Sequence, residues 1–174
     1  MCLYSKYKLR YYKCMNHSMQ NTTLIYMEKD GRYLMLHRTK KENDYNKDKW
    51  IGIGGKFEET ESPEECIVRE VREETGLTLT GMEYRGLVTF VCDGNFTEYM
   101  HIFWSDSFAG KLIECSEGDL EWVEKSKMND LPHWKGDEIF LNLIELRVPF
   151  FSLKLEYRNG VLLKAVLNGR ILEV

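Results

Sequence analysis

Residues 55–77 constrain this chain more than any other stretch, because they specify a helix and crowd acids onto it. Ser62-Pro63-Glu64-Glu65 supplies, in order, a hydroxyl N-cap, a proline for the first turn and the glutamate of a capping box, and Gly76 supplies the stop. Within that helix Glu70 and Glu74 are i,i+4 neighbours and Glu70 and Glu73 are i,i+3 neighbours, while Ile67, Val71 and Thr75 form a separate stripe suited to a core. On a solvated helix each like-charge pair costs only a few tenths of a kcal/mol. Half-buried, two carboxylates about 5 Å apart repel by roughly 3 kcal/mol at an effective dielectric near 20. A divalent cation reverses that sign, and an all-oxygen donor set suits Mg²⁺ or Mn²⁺, which keep several waters and bind through a few carboxylates plus substrate phosphates. The three glutamates taken alone also fit an ordinary acidic surface, so their spacing by itself leaves both readings open.

Around this helix the hydrophobic pattern is that of strands. Apolar runs at 22–27 and 33–37 flank Glu28-Lys29-Asp30-Gly31-Arg32, a hairpin signal. Runs at 87–92 and 98–105 flank Asp93-Gly94, and runs at 151–157 and 161–167 flank Asn159-Gly160, giving two more hairpins. A polar, lysine-rich stretch at 39–49 reads as an exposed, mobile loop, followed by a brief strand ending in glycines at 50–55. Residues 137–146 carry helical apolar spacing at Ile139, Phe140, Leu143 and Ile144. The expectation is an α/β (α+β) fold, a mixed β-sheet with helices on its faces and additional hairpins, in one domain at 21–174. Residues 1–20 hold Lys6, Lys8, Arg10 and Lys13 without an acid or an apolar signal-peptide core, and read as a loose N-terminal extension. Met15 and Met19 precede the strand-like alternation, so a start codon assigned too far upstream would account for it.

Composition excludes several classes. With 24 Lys+Arg against 28 Asp+Glu, the net charge of −4 argues against broad adhesion to nucleic acid or anionic lipid. No stable nucleic-acid partner is expected. A 43% hydrophobic content over 174 residues supplies a real core and disfavours disorder. Cys2, Cys14, Cys66, Cys92 and Cys115 are odd in number and lack a C-x-x-C pair, which fits a reducing cytoplasm rather than a disulfide scaffold or a zinc ribbon. The longest apolar stretch, 139–155, is broken by Asn142, Glu145, Arg147 and Lys154, so no membrane span is expected. Oligomeric state is left open.

The full string resembles the Nudix hydrolase family, whose signature is G-x5-E-x7-R-E-U-x-E-E-x-G-U with U a bulky aliphatic residue. Gly55, Glu61, Arg69, Glu70, Val71, Glu73, Glu74, Gly76 and Leu77 satisfy every fixed position. The resemblance implies an α/β/α sandwich in which Glu70, Glu73 and Glu74 bind Mg²⁺ or Mn²⁺ and the Gly54 carbonyl joins them. It makes Arg69 the arginine that orients these carboxylates, and a guanidinium fork is suited to that task. Glu61 matches a position that steadies the loop. Glu117, at the head of Glu117-Gly118-Asp119-Leu120-Glu121-Trp122, matches a further metal ligand or base of MutT-type members. Glu70 is the first candidate for the base or water-positioning group, and Glu117 is its rival.

Beyond the signature, the likeness to MutT-like 8-oxo-dGTP diphosphatases runs from about residue 22 to the C-terminus. It implies a nucleoside triphosphate substrate cut to the monophosphate and pyrophosphate, and a place in nucleotide-pool sanitation and hence DNA repair. Arg38 matches a basic phosphate contact, Trp134 a tryptophan that stacks on the purine, and Asp137 the second of two base-reading aspartates. Two positions depart from that pattern: Gly136 stands where the first aspartate belongs, and Ile51 where a base-reading asparagine belongs. Base discrimination must therefore differ, since a buried polar group is what rejects a wrong nucleobase by large factors. Glu138 is a candidate replacement for the missing carboxylate. The alternative substrates are ADP-ribose, a dinucleoside polyphosphate or an RNA 5′ end; a non-catalytic nucleotide-binding module is the remaining alternative.

Overall fold

The structure is a computed structural model that describes residues 18–41 and 44–174. Most of the expected N-terminal extension, 1–17, lies outside the described residues. The first strand, β1 (Ser18–Lys29), already occupies the last three positions of that extension. It is followed by β2 (Arg32–His37), β3 (Trp50–Ile51), α1 (Pro63–Thr75), β4 (Thr78–Leu79), β5 (Glu83–Cys92), β6 (Phe96–Ser105), β7 (Phe108–Ala109) and β8 (Asp119–Glu124). A 3₁₀ turn at Lys125–Asp130, α2 (Asp137–Glu145), β9 (Phe151–Arg158), β10 (Val161–Leu167) and β11 (Arg170–Leu172) complete the chain.

Nine strands form one mixed sheet in the order β11-β10-β9-β5-β6-β1-β2-β3, with β8 on the other side of β2; β4 and β7 pair separately. The β1/β6 and β5/β9 ladders are parallel and the remaining pairs antiparallel. The hairpins expected at Asp30-Gly31, Asp93-Gly94 and Asn159-Gly160 are all present, each with positive φ at both turn residues, as the twist-matched two-residue turn requires. Asn168-Gly169 makes a fourth, leading into β11.

The two faces of the sheet carry separate cores. Ile67 and Val71 of α1 pack with Ile25, Met27, Leu34 and Phe103, whereas Phe140, Leu141 and Ile144 of α2 pack with Tyr26, Val88, Ile102 and Leu153. Each such fully buried aliphatic side chain contributes about 1.5–3 kcal/mol. Alternation along the strands thus sends even-numbered residues of β1 and β6 toward α2 and odd-numbered ones toward α1.

β1 and β2 pair only beside their turn, from Lys29↔Arg32 to Met27↔Leu34, and then diverge. Residues 50–56 fill the resulting wedge. Trp50 and Ile51 pair with β2, while Ile53 exchanges backbone hydrogen bonds with Ile25 of β1 at 2.7 and 3.1 Å and Gly55 O accepts from Thr23 N at 2.9 Å. This insertion places the glycine loop against the sheet, directly under the acidic helix.

Candidate functional site

The helix α1 begins and ends as its sequence dictates. Ser62 accepts from Glu65 N at 3.2 Å and Glu65 accepts from Ser62 N at 2.8 Å, a closed capping box contributing about 1 kcal/mol, and Gly76 caps the C-terminus at φ 73°. With Ile67, Val71 and Thr75 turned into the core, the adjoining edge of the helix lays Glu70 and the buried Glu74 against the glycine loop. Gly54 N donates to Glu74 Oε2 at 3.3 Å. Gly54 itself has φ 152°, and a Cβ there would fall 2.0 Å from Thr23 O, so only glycine fits this wedge position. Glu73 is different: its side chain is 60% exposed and accepts from Arg69 Nη1 at 3.2 Å.

Arg69 clasps the loop to the helix. Its Nε and Nη2 donate to both oxygens of Glu61 at 2.6 and 2.9 Å, Nη1 donates to Glu70 Oε1 at 2.8 Å, and Nη2 also reaches Lys56 O at 3.0 Å. The bidentate pair holds the Glu61 carboxyl down at about 2.

The acids of the site feel one another. Burial, then the charges of Glu117 and Glu70, push Glu74 up to about 8. Burial raises Glu70 as well, only partly opposed by Arg69. Burial would also raise Glu117, but Lys41 and Arg38 outweigh it and keep that carboxyl below its ordinary value. Glu117 precedes β8 and accepts from both of these cations; Arg38 also donates through Nε to Asp44 Oδ2 at 2.5 Å. Arg38, read from the sequence as a phosphate contact, is thus held between two carboxylates at the mouth of the site.

The donors are hard oxygens on groups that burial and mutual repulsion destabilise as anions, the chemistry a divalent cation relieves. Among the described residues no three His, Cys, Asp or Glu side chains stand as a formed metal-binding group; Arg69, Arg38 and Lys41 hold the carboxylates instead. Gly54 meets Glu74 through its N–H.

Glu70, Glu74, Glu117, Arg38 and Gly54 line one end of a cleft of about 880 Å³, and Trp134 and Asp137 line the other. Trp134 Nε1 donates to Asn46 Oδ1 at 2.7 Å, and Tyr45 stacks on the ring at 4.9 Å and 14°. The loop at 39–49 is exposed at Lys40, Lys41, Tyr45, Lys47 and Asp48, as expected, while Tyr45 and Asn46 attach it to Trp134 and Asp44 attaches it to Arg38; its residues 42–43 lie outside the described residues. Asp137, at the start of α2, is only 7% exposed, and burial pushes its carboxyl up to about 8. Ile51 lines the cleft as a half-buried apolar residue.

One expectation about the base-reading end is corrected. Glu138 does not replace the missing carboxylate: it is bound by Lys135 at 2.6 Å and His133 at 3.1 Å and does not line the cleft. Position 136 itself is crowded: a Cβ there would meet Leu155 Cδ1 at 2.5 Å, so the neighbouring side chains would have to shift, and Gly136 N donates to Tyr157 Oη at 2.6 Å. The acid that does line the cleft beside Asp137 is Glu98 of β6, absent from the sequence reading. Its signal was available: Phe96, Met100, Ile102 and Trp104 make one face of β6 apolar, and Glu98 is the ionisable residue on that face.

An acidic helix over a glycine loop, at one end of a cleft able to take a whole nucleotide, is an arrangement for cutting phosphoanhydride bonds, and comparison with known proteins places the chain in that class. Residues 18–144 match the NUDIX domain. The chain is 30% identical over 131 residues to the uncharacterized Nudix hydrolase YvcI of Bacillus subtilis, covering 72% of this chain and 79% of that protein. It is 32% identical over 124 residues to the oxidized purine nucleoside triphosphate hydrolase of Danio rerio, covering 70% and 77%. The crystal structure of a MutT protein from Bacillus halodurans superposes with a TM-score of 0.75 at 26% identity, over 86% of this chain and 97% of the other. The protein belongs to the Nudix hydrolase family, enzymes acting on nucleotide pyrophosphate bonds. Among the described residues no helix is long and apolar enough to cross a membrane.

Proposed function

We propose that this protein is a Mg²⁺-dependent nucleoside triphosphate pyrophosphohydrolase acting on oxidised purine nucleotides, 8-oxo-dGTP foremost, and releasing the monophosphate and pyrophosphate. The observation that carries the reading is the single cleft that joins the Glu70/Glu74/Glu117 end to the Trp134/Asp137 end, so one nucleotide can present its phosphates to the first and its base to the second. The Danio rerio relative, named an oxidized purine nucleoside triphosphate hydrolase, supports the substrate class.

Glu70, Glu73, Glu74, Glu117 and the Gly54 carbonyl would hold Mg²⁺ or Mn²⁺, which supplies neutralisation of phosphate charge and lowers the pKa of water. The chain's own part is positioning. Arg69 fixes the Glu70 carboxyl so that one oxygen stays beside the glycine loop, where it orients the attacking water and accepts its proton. Arg38 and Lys41, at the mouth, contact phosphate oxygens as Glu117 turns inward. Trp134 offers its ring to the base when Tyr45 withdraws.

The test is a substrate panel assayed with Mg²⁺ for pyrophosphate against orthophosphate: 8-oxo-dGTP, the ordinary nucleotides, ADP-ribose, a dinucleoside polyphosphate and a capped RNA. Preference for 8-oxo-dGTP with pyrophosphate as product is expected, and chelation of the metal should abolish it. Equal rates on dGTP and 8-oxo-dGTP would sink the sanitation reading, and Glu70→Gln with undiminished turnover at saturating Mg²⁺ would sink the role of Glu70.

A further inference from the structure

We propose that Glu98 is a specificity-determining residue, forming with Asp137 an acceptor-rich floor that recognises the donor-rich edge of a guanine-type base. The inference rests on the reading of the cleft as a nucleotide site and names the base that its inner end selects.

Glu98 stands at the middle of that floor. In the sheet register it lies between Gln20 of β1 and Phe90 of β5, and all three line the cleft. On the same face Phe96 and Met100, two residues either side, are apolar, as alternation demands of a surface packed under α2. A carboxyl on such a face costs several kcal/mol unless it is satisfied or used. Thr22 and Gln20 each donate to it, and this fixes the group without exhausting it, since a carboxylate has about four acceptor sites. Asp137, at the start of α2, lines the same cleft, and the charge of Glu98 is among those that raise its carboxyl. Burial raises both carboxyls.

The edges of the nucleobases differ in what they could offer this floor. Guanine and 8-oxoguanine present N1–H and the 2-amino group side by side, next to the O6 acceptor. Adenine presents one amino group beside an unprotonated N1, cytosine one amino group beside two acceptors, and uracil or thymine one N–H between two acceptors. The Glu98 carboxylate complements the first pattern by accepting one of the two adjacent donors on each oxygen, and with the other bases it sets an oxygen against an acceptor. Hypoxanthine is the discriminating probe, because it equals guanine without the 2-amino group.

The experiment compares dGTP and dITP as substrates of the full chain with Mg²⁺, in the wild type, Glu98→Gln and Glu98→Met, each checked by thermal melting. The wild type is expected to favour dGTP over dITP by at least tenfold in kcat/KM, and Glu98→Met to bring that ratio near one through KM, with kcat for dITP little changed. Should Glu98→Met fail to fold, Glu98→Gln decides, with an expected fall of threefold or more in the ratio. Calorimetric titration with dGMP and dIMP adds a readout without turnover, and the same loss of preference is expected. A ratio unchanged within twofold in the folded variants overturns the role of Glu98 alone. Absence of turnover on every triphosphate overturns the nucleotide reading beneath it, and this inference with it.

Discussion

Gly55 lies against the Glu70 carboxyl so closely that a Cβ on the glycine would stand 2.4 Å from Glu70 Oε1 and 2.5 Å from Cδ. The glycine loop and the acidic helix thus meet as backbone against carboxylate, and the room for that contact exists only because position 55 has no side chain.

Gly55→Ala is therefore expected to act on chemistry more than on folding. Its φ is not in the left-handed region, and what it would strike is the end of a side chain that can rotate away. Turnover should fall about tenfold or more, equivalent to ~1.4 kcal/mol of transition-state stabilisation. The melting temperature should move by only a few degrees. Full turnover in a folded variant would show that the position of the Glu70 carboxyl is unimportant.

Arg69→Lys should cost activity despite keeping the charge. A lysine can supply one point contact where Arg69 supplies a fork to Glu61 and a second arm to Glu70 and Glu73. A loss in kcat of about tenfold or more is expected with KM little altered, since the residue positions Glu70. Equal kcat in the lysine variant would reduce Arg69 to a surface cation.

Asp137 gives a pH dependence of stability with a definite sign. Its carboxyl is near 8 in the folded chain against about 3.9 unfolded, so the native state keeps a proton that the unfolded state releases. This group's contribution is greatest below pH 4, declines as pH rises toward 8 by at most about 1.4 kcal/mol per unit, and levels off above it. Asp137→Asn, neutral at every pH, should gain on the wild type in melting temperature between pH 5 and pH 8. Parallel curves for the two proteins would contradict the buried, protonated acid.

Gly136→Ala should destabilise by about 1–3 kcal/mol, because a Cβ there would press on Leu155 at 2.5 Å and Tyr157 Oη at 2.7 Å. Gly136→Asp should fare worse and should not add a base contact. A stable Gly136→Asp variant with sharpened base preference, measured by chemical denaturation and substrate ratios, would reverse this account of the packed position.

Much of the local architecture was legible in the sequence because its causes are local. The capping box at Ser62 and Glu65, the stop at Gly76 and the Asp-Gly and Asn-Gly turns depend on residues within a few positions of one another, and each forms as read. The three-residue strand β11 was passed over although Asn168-Gly169 is the same turn signal, since a strand that short has too little alternation to register. The loop at 39–49 is exposed along much of its length, as its polarity predicts, but its attachment to Trp134 through Tyr45 and Asn46 is not legible, because the partner lies 88 or more residues away in sequence.

What the sequence determined by itself was the acidic helix, its orientation by the Ile67, Val71 and Thr75 stripe, and the crowding of its glutamates. Nine fixed positions over 55–77 were enough for that, because helical geometry converts spacing directly into faces. The tertiary structure alone decided what stands opposite. Strand register set Glu98 between Gln20 and Phe90 in the cleft that Asp137 also lines, the side chains of Leu155 and Tyr157 crowded position 136, and Lys135 with His133 drew Glu138 away. Those outcomes rest on contacts between strands and helices far apart in sequence, which no local periodicity encodes.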